Sequence, residues 1–162
     1  MAIDATVGGA NSNSYLTLSA AETYFLGRLG ADAWNDADQE QKESALIMAT
    51  SWLDTERYVG SIVSILQRLV WPRFGAFSRN GNYLIYTAIP QMVMDATCEL
   101  ALAILNDPSI FGDSEVSDFT HLRVGDVDVT PRFVPRSALP LHVLRTLEPI
   151  RLAGRGTHVI HA

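Results

Sequence analysis

Pro90-Gln91-Met92-Val93-Met94-Asp95-Ala96-Thr97-Cys98-Glu99-Leu100-Ala101-Leu102-Ala103-Ile104-Leu105-Asn106 is the stretch whose reading decides the fold. Val93, Ala96, Leu100, Ala101 and Ile104 recur at spacings of one, three and four, which gathers them on one face of an α-helix. Pro90 suits the first helical position, where its missing N–H would go unsatisfied anyway, and it pushes Ile89 towards an extended conformation. Asn106-Asp107-Pro108 ends the helix, because proline cannot continue it. Cys98 falls inside and reads as a small buried hydrophobe. A helix with such a stripe has to be covered, so the flanking segments are read for partners.

Upstream, Ala45, Leu46, Ala49, Trp52 and Leu53 form the apolar face of a second helix reaching about Arg57. Its start signal is Asp36 with Gln39 three residues on, and Asp38 and Glu40 suit the positive end of the helix dipole. Trp52 at helical spacing reads as core. A shorter helix is predicted from about Ala20 to Arg28, with Ser19 and Glu22 as its capping box and a stop near Gly30. Downstream, Leu141, Leu144 and Leu147 predict a short helix over Pro140–Glu148, stopped by Pro149.

Two segments interrupt this pattern. Between Tyr58 and Ile89, Trp71-Pro72-Arg73-Phe74-Gly75 cannot continue a helix, and Asn80-Gly81 between Phe77 and Tyr83 predicts a two-residue hairpin turn. Leu122–Thr130 alternates apolar and polar residues about Gly125-Asp126 and predicts a small hairpin or bulged strand. The fold class is mainly α: a small bundle of three to four helices with a projecting loop or β-hairpin, a second short hairpin and an extended C-terminal arm. The expected organisation is a flexible N-terminal segment over 1–14, a helical-bundle domain over 15–150, and an arm over 151–162.

Composition sets the outer bounds. The chain has 162 residues, 48% hydrophobic and 19% charged, which suits one compact domain and not a disordered chain. One cysteine excludes an internal disulfide and any cysteine-based zinc cluster. No apolar run approaches the roughly 20 residues of a membrane span, and the first residues lack the regions of a secretory signal. A soluble protein made in a reducing compartment is expected. The net charge of -6 argues against a chain whose main task is gripping phosphates. That charge is uneven: residues 1–66 hold nine acids and three bases, whereas 129–162 hold five arginines and Glu148 alone.

The search for chemistry returns little. There is no glycine-rich phosphate loop and no nucleophile elbow. Asp126 and Asp128 are too few for a metal site, and His158 and His161 have no acid beside them in sequence. His121 and His142 stand isolated. Catalytic, cofactor-binding and metal-binding residues are accordingly expected to be absent, and the protein is not expected to be an enzyme. Arg132, Arg136, Arg145, Arg151 and Arg155, with Phe133 to stack a base, are candidates for binding single-stranded DNA, although prolines separate them.

Asn13-Ser14-Tyr15-Leu16-Thr17, Ala45–Thr50 running into Trp52-Leu53-Asp54, Trp71-Pro72-Arg73, and Ile89-Pro90 leading to Cys98–Ala103 together resemble tailed-phage head–tail connector proteins. Relatives of these are often labelled DnaT-like single-stranded-DNA-binding proteins. Val124-Gly125-Asp126-Val127 is similar to their second hairpin, while Ser61–Val70 departs from the pattern in being apolar.

The resemblance implies a structural virion protein of the neck, forming a ring of twelve copies. Its implied partners are itself, the portal protein, and a tail or stopper protein, with DNA passing through unbound and no membrane involved. It implies a portal-docking arm carrying Arg151, Arg155, Thr157, Val159 and Ile160, and a subunit or tail contact at Ile62, Ile65, Leu66, Trp71, Arg79, Asn80 and Gly81. Asp36, Asp38, Glu40 and Glu43 are expected at channel or intersubunit faces. The alternative is a single-stranded-DNA-binding protein of phage replication.

Overall fold

The computed structural model describes residues 2–111, 122–124, 127–129 and 139–152. Among the described residues, five α-helices make the body: α1 (Leu18–Leu26), α2 (Asp32–Asp36), α3 (Gln39–Leu53), α4 (Gln91–Asn106) and α5 (Leu141–Leu147). A 3-10 turn over Pro108–Phe111 follows α4. Two antiparallel pairs complete the topology: β1 (Ser61–Ile62) with β2 (Arg73–Phe74), and β3 (Leu122–Val124) with β4 (Val127–Val129). The architecture is the mainly α bundle with small hairpins that the sequence predicts.

The α3–α4 pair is the centre of the fold. Ala45, Leu46, Ala49 and Leu53 of α3 are buried against Val93, Ala96, Leu100 and Ala101 of α4. Each fully buried leucine contributes roughly 1.5–3 kcal/mol through the apolar surface it removes from water. Alanines at four of these positions let the helices approach closely. Thr97 is also buried, and its hydroxyl donates to the Val93 carbonyl 2.7 Å away, so no polar atom is stranded there.

Helix starts differ in detail from the predicted ones. Helix α1 is capped by Thr17, whose side-chain oxygen accepts from the Ala20 N–H at 3.2 Å. Thr17 is extended and Ser19 is already helical, so Ser19 cannot cap. Glu22 instead accepts from Lys42 Nζ at 3.0 Å and from the Trp34 indole at 3.3 Å. The cap of α3 is Asp38, in a reciprocal capping box with Gln41. Asp36 closes α2, a helix absent from the sequence reading, whose Trp34 is fully buried and stacks on Phe25 at 4.3 Å. Five residues are too few to show a period, and only burial of the indole reveals why the helix is there.

Helix α3 ends at Leu53, four residues before the expected Arg57. Helix α5 turns a different face inward. Val143 and Leu147 are buried, with Leu139 and Ile150 flanking them, whereas Leu141 is exposed. The chain then returns to the body: Val59 N–H donates to the Ile150 carbonyl and Leu152 N–H to the Arg57 carbonyl, each at 2.9 Å. Arg151 forms a two-nitrogen contact with Glu56, at 2.9 and 2.6 Å. Residues 151 and 152 are therefore part of the body and not of a free arm.

The N-terminal segment expected to be flexible is tied back on itself, with Asn13 N–H donating to the Asp4 carbonyl and Asp4 N–H to Asn13 Oδ1, both at 2.8 Å. The β3–β4 pairing joins Leu122 to Val129 and Val124 to Val127, as a hairpin about Gly125-Asp126 requires. No described helix is long and apolar enough to cross a membrane.

Candidate functional site

Residues 57–94 contain Arg57, Arg68, Arg73 and Arg79 and not one aspartate or glutamate. In an acidic chain this is the one long stretch of opposite sign before the tail. It is also the excursion that leaves the bundle after α3 and rejoins it at α4. Tyr58, Trp71, Pro72, Ala76 and Ile89 are buried and bolt it to the body. Tyr58 and Trp71 meet edge to face at 5.5 Å. Arg73 is a second bolt, its Nε donating to the Val59 carbonyl at 2.9 Å and its other nitrogens to the Tyr58, Gly60 and Val70 carbonyls. Gly60 is required beneath it: at φ +77° a side chain would run into the Phe74 carbonyl.

From these anchors a ribbon projects. Leu84 N–H donates to the Ala76 carbonyl and Ser78 N–H to the Asn82 carbonyl, each at 2.8 Å, with Phe77 opposite Tyr83. The loop is Arg79-Asn80-Gly81, three residues and not the predicted two. Gly81 N–H donates to the Ser78 carbonyl at 2.9 Å and Gly81 alone has a positive φ, +79°. A two-residue type I′ turn would need Asn80 left-handed as well; the chain uses the three-residue form with glycine at its left-handed position.

Alternation along the ribbon puts Ala76 inward and Phe77 outward. Four rings are exposed, in two pairs: Phe77 and Tyr83 at 4.6 Å between centroids, and Phe74 and Tyr86 at 5.7 Å. Arg79 stands at the tip, its guanidinium 3.3 Å from Glu148 with both side chains largely in solvent. Ile62, Val63, Ile65, Leu66 and Ile85 are exposed on the same excursion.

The predicted site residues thus fall in different places. Ile62, Ile65, Leu66, Arg79, Asn80 and Gly81 lie at the surface of the excursion, but Trp71 is 1% exposed and belongs to the core. Asp36, Asp38 and Glu40 are exposed, and Glu43 is half-buried and accepts from Gln39 at 2.8 Å. Arg155, Thr157, Val159 and Ile160 lie outside the described residues, as do Arg132, Phe133 and Arg136. The rings of the ribbon were missed; the signal for them was the acid-free run 57–94.

Two polar clusters tie separate elements of the fold together. Glu99 on α4 receives Arg28 Nε at 2.6 Å, Arg28 Nη2 at 3.0 Å and the Tyr24 hydroxyl at 2.7 Å. The Arg28 contact holds the Glu99 carboxyl below the usual carboxylate range. His142, isolated in sequence, has Nε2 3.6 Å from Glu99. This network ties α1, α4 and α5 together. Asp54, at the end of α3, accepts from the Tyr15 hydroxyl and, at 3.4 Å, from the Val70 N–H. Burial pushes its carboxyl up to about 6, against the opposing pull of those bonds and of Arg68. Among the described residues no group of three or more histidine, cysteine, aspartate or glutamate side chains could hold a metal ion.

The class that this fold defines is a small helical bundle carrying an arginine- and ring-bearing ribbon between its two central helices. The model of the family described as "Putative DnaT-like ssDNA binding protein" matches residues 1–132, and the chain belongs to that family. No curated protein and no solved structure is matched. The family match overturns the neck-ring assignment, with its portal and tail partners and its DNA that passes unbound. The net charge, which argued against phosphate binding, is unevenly spread: residues 57–94 hold no acid, and Glu148 meets their Arg79 only across the fold.

Proposed function

We propose that the protein binds single-stranded DNA through the ribbon and its surroundings, without turnover of its ligand. The observation that carries this reading is the exposure of Phe74, Phe77, Tyr83 and Tyr86 in pairs beside Arg79, on a segment free of acids. Unpaired bases present faces that stack on aromatic rings, and exposed arginines neutralise the phosphates between them. In a duplex the base faces are already stacked, so the rings have nothing to receive. The reading agrees with the description of the family.

The test is fluorescence anisotropy of a labelled single strand against increasing salt, with a blunt duplex of the same sequence beside it. Single-strand binding that weakens with salt and exceeds duplex binding is expected. Replacing Phe77 and Tyr83 by alanine removes about 1–3 kcal/mol of binding per ring lost. Indifference to single strands at low salt would overturn the reading, as would an unchanged affinity in the double variant.

A further inference from the structure

Phe77 covers one side of the Tyr83 ring, with 4.6 Å between centroids. It takes no part in a cleft of about 260 Å³ that Tyr83 lines together with Leu84, Ile85, Ala88, Ile89 and Pro90. The cleft lies between the return strand of the ribbon and the start of α4, and it borders the part of Tyr83 that Phe77 leaves open. Tyr83, Ile85 and Ala88 are exposed, so a group arriving along the ribbon can enter. No lining residue is charged. Apart from the Tyr83 hydroxyl, the polar side chain of the lining is Gln91, whose Nε2 already donates to Asp95 Oδ1 at 2.7 Å.

A base stacked on the open part of Tyr83 has one edge over this cleft, and the lining decides which edge that is. Carbonyl, amine and ring N–H groups turned inward would leave water with no side chain placed to replace it, which is unfavourable. A pyrimidine has one edge free of such groups, the C5–C6 edge, and thymine carries its methyl group there. In a purine the edge away from Watson–Crick pairing carries N7 beside an oxygen or an amine. The apolar cleft therefore suits the pyrimidine edge.

We infer that this cleft takes the C5–C6 edge of one pyrimidine of the bound strand and gains affinity from a methyl group at C5. The Watson–Crick edge of that base stays in water. The inference rests on the proposed single-strand binding. It is tested with oligo(dT) and oligo(dU) of equal length, which differ in that methyl group alone. The full chain is expected to bind oligo(dT) roughly fourfold more tightly, the worth of burying one methyl group. Oligo(dC) with a 5-methyl group is expected to exceed plain oligo(dC) by a similar factor. Ala88→Gln alters an exposed residue without changing charge and fills the cleft with a polar side chain. It is expected to lower oligo(dT) affinity to the oligo(dU) value and to leave oligo(dU) within about twofold, since a bare C5–H buries little apolar area. Equal affinity within either pair in the native chain would overturn the inference alone. So would a methyl effect that persists in Ala88→Gln, or an equal loss on both strands. Failure to bind any of these strands would overturn the proposed function and this inference with it.

Discussion

Leu46 of α3 and Leu100 of α4 are fully buried, while Ile65 and Leu66 of the excursion that joins these helices are 91% and 74% exposed. The aromatic residues divide in the same way. Phe25, Trp34 and Trp71 are packed inside, and Tyr83 and Phe74 stand in solvent. The two regions draw on one stock of apolar side chains for opposite ends. In the α3–α4 pair the 3.6-residue period sets Leu46, Leu53, Val93 and Leu100 on buried, facing stripes. The excursion has a few anchors and spends its remaining side chains on the surface, where a contiguous apolar patch marks an interaction site.

That contrast is broken most directly by truncating one aliphatic side chain on each side of it. Leu100→Ala is expected to cost about 2–5 kcal/mol, since it leaves a cavity among fixed neighbours. Ile65→Ala should stay within about 0.5 kcal/mol, because its side chain already faces water. Urea unfolding of both variants checks the pair. A large loss for Ile65→Ala would mean that the excursion is part of the core after all.

A smaller effect sharpens the comparison at the junction. Asp54 closes α3 and reaches Val70 on the excursion, and its carboxyl is raised from 3.8 to about 6, chiefly by burial. Between those values the native state holds a proton that the unfolded chain has released. Stability therefore falls as pH rises through this window, by an amount on the order of 2 kcal/mol. Glu22 and Glu99, whose carboxyls are lowered by their partners, act in the other direction: their contribution is present above the ordinary glutamate range and is lost as pH falls. Asp54→Asn is expected to flatten the slope between pH 4 and 6 and to leave the acid limb intact, a result read from urea midpoints across pH. An unchanged slope would show that Asp54 titrates as an exposed group.

The smallest effect concerns charge at the tip of the ribbon. Arg79 and Glu148 are 3.3 Å apart but 71% and 73% exposed, so the pair contributes under about 1 kcal/mol to stability. Under the proposed function its carboxylate competes with a strand phosphate for Arg79. Glu148→Gln is expected to raise single-strand affinity by about threefold at low salt through removal of one nearby like charge to the ligand. Glu40→Gln, at the opposite end of α3, changes net charge equally and should leave affinity unchanged. Equal gains in both variants would assign the effect to overall charge and not to the tip.

Helices α1, α3, α4 and α5 were legible because they depend on spacing along the chain, whereas the five-residue α2 was not. The face of α4, its end at Asn106-Asp107-Pro108, the existence of α3 and α5, and both hairpins follow from period and from turn residues. Other features need distant segments to meet. Ser19 and Thr17 both carry the hydroxyl of a cap, and local geometry chose Thr17. Leu141 and Val143 are equally apolar, and only the position of α4 decides which of them turns inward. The candidate site was half legible. Phe77, Tyr83 and the turn between them were visible as a hairpin, but their exposure was not, and a whole-chain charge of -6 concealed an acid-free stretch of sequence over 57–94.

By itself, then, the sequence determined a mainly helical chain with an apolar α3–α4 seam and a turn at Asn80-Gly81, because periodicity and φ preference act over a few residues. Tertiary structure alone decided that Trp71 is core while Tyr83 is surface, that His142 meets Glu99, and that Arg151 is held by Glu56. Burial and ion pairing depend on which remote segments arrive at the same place, and no local pattern encodes that arrival.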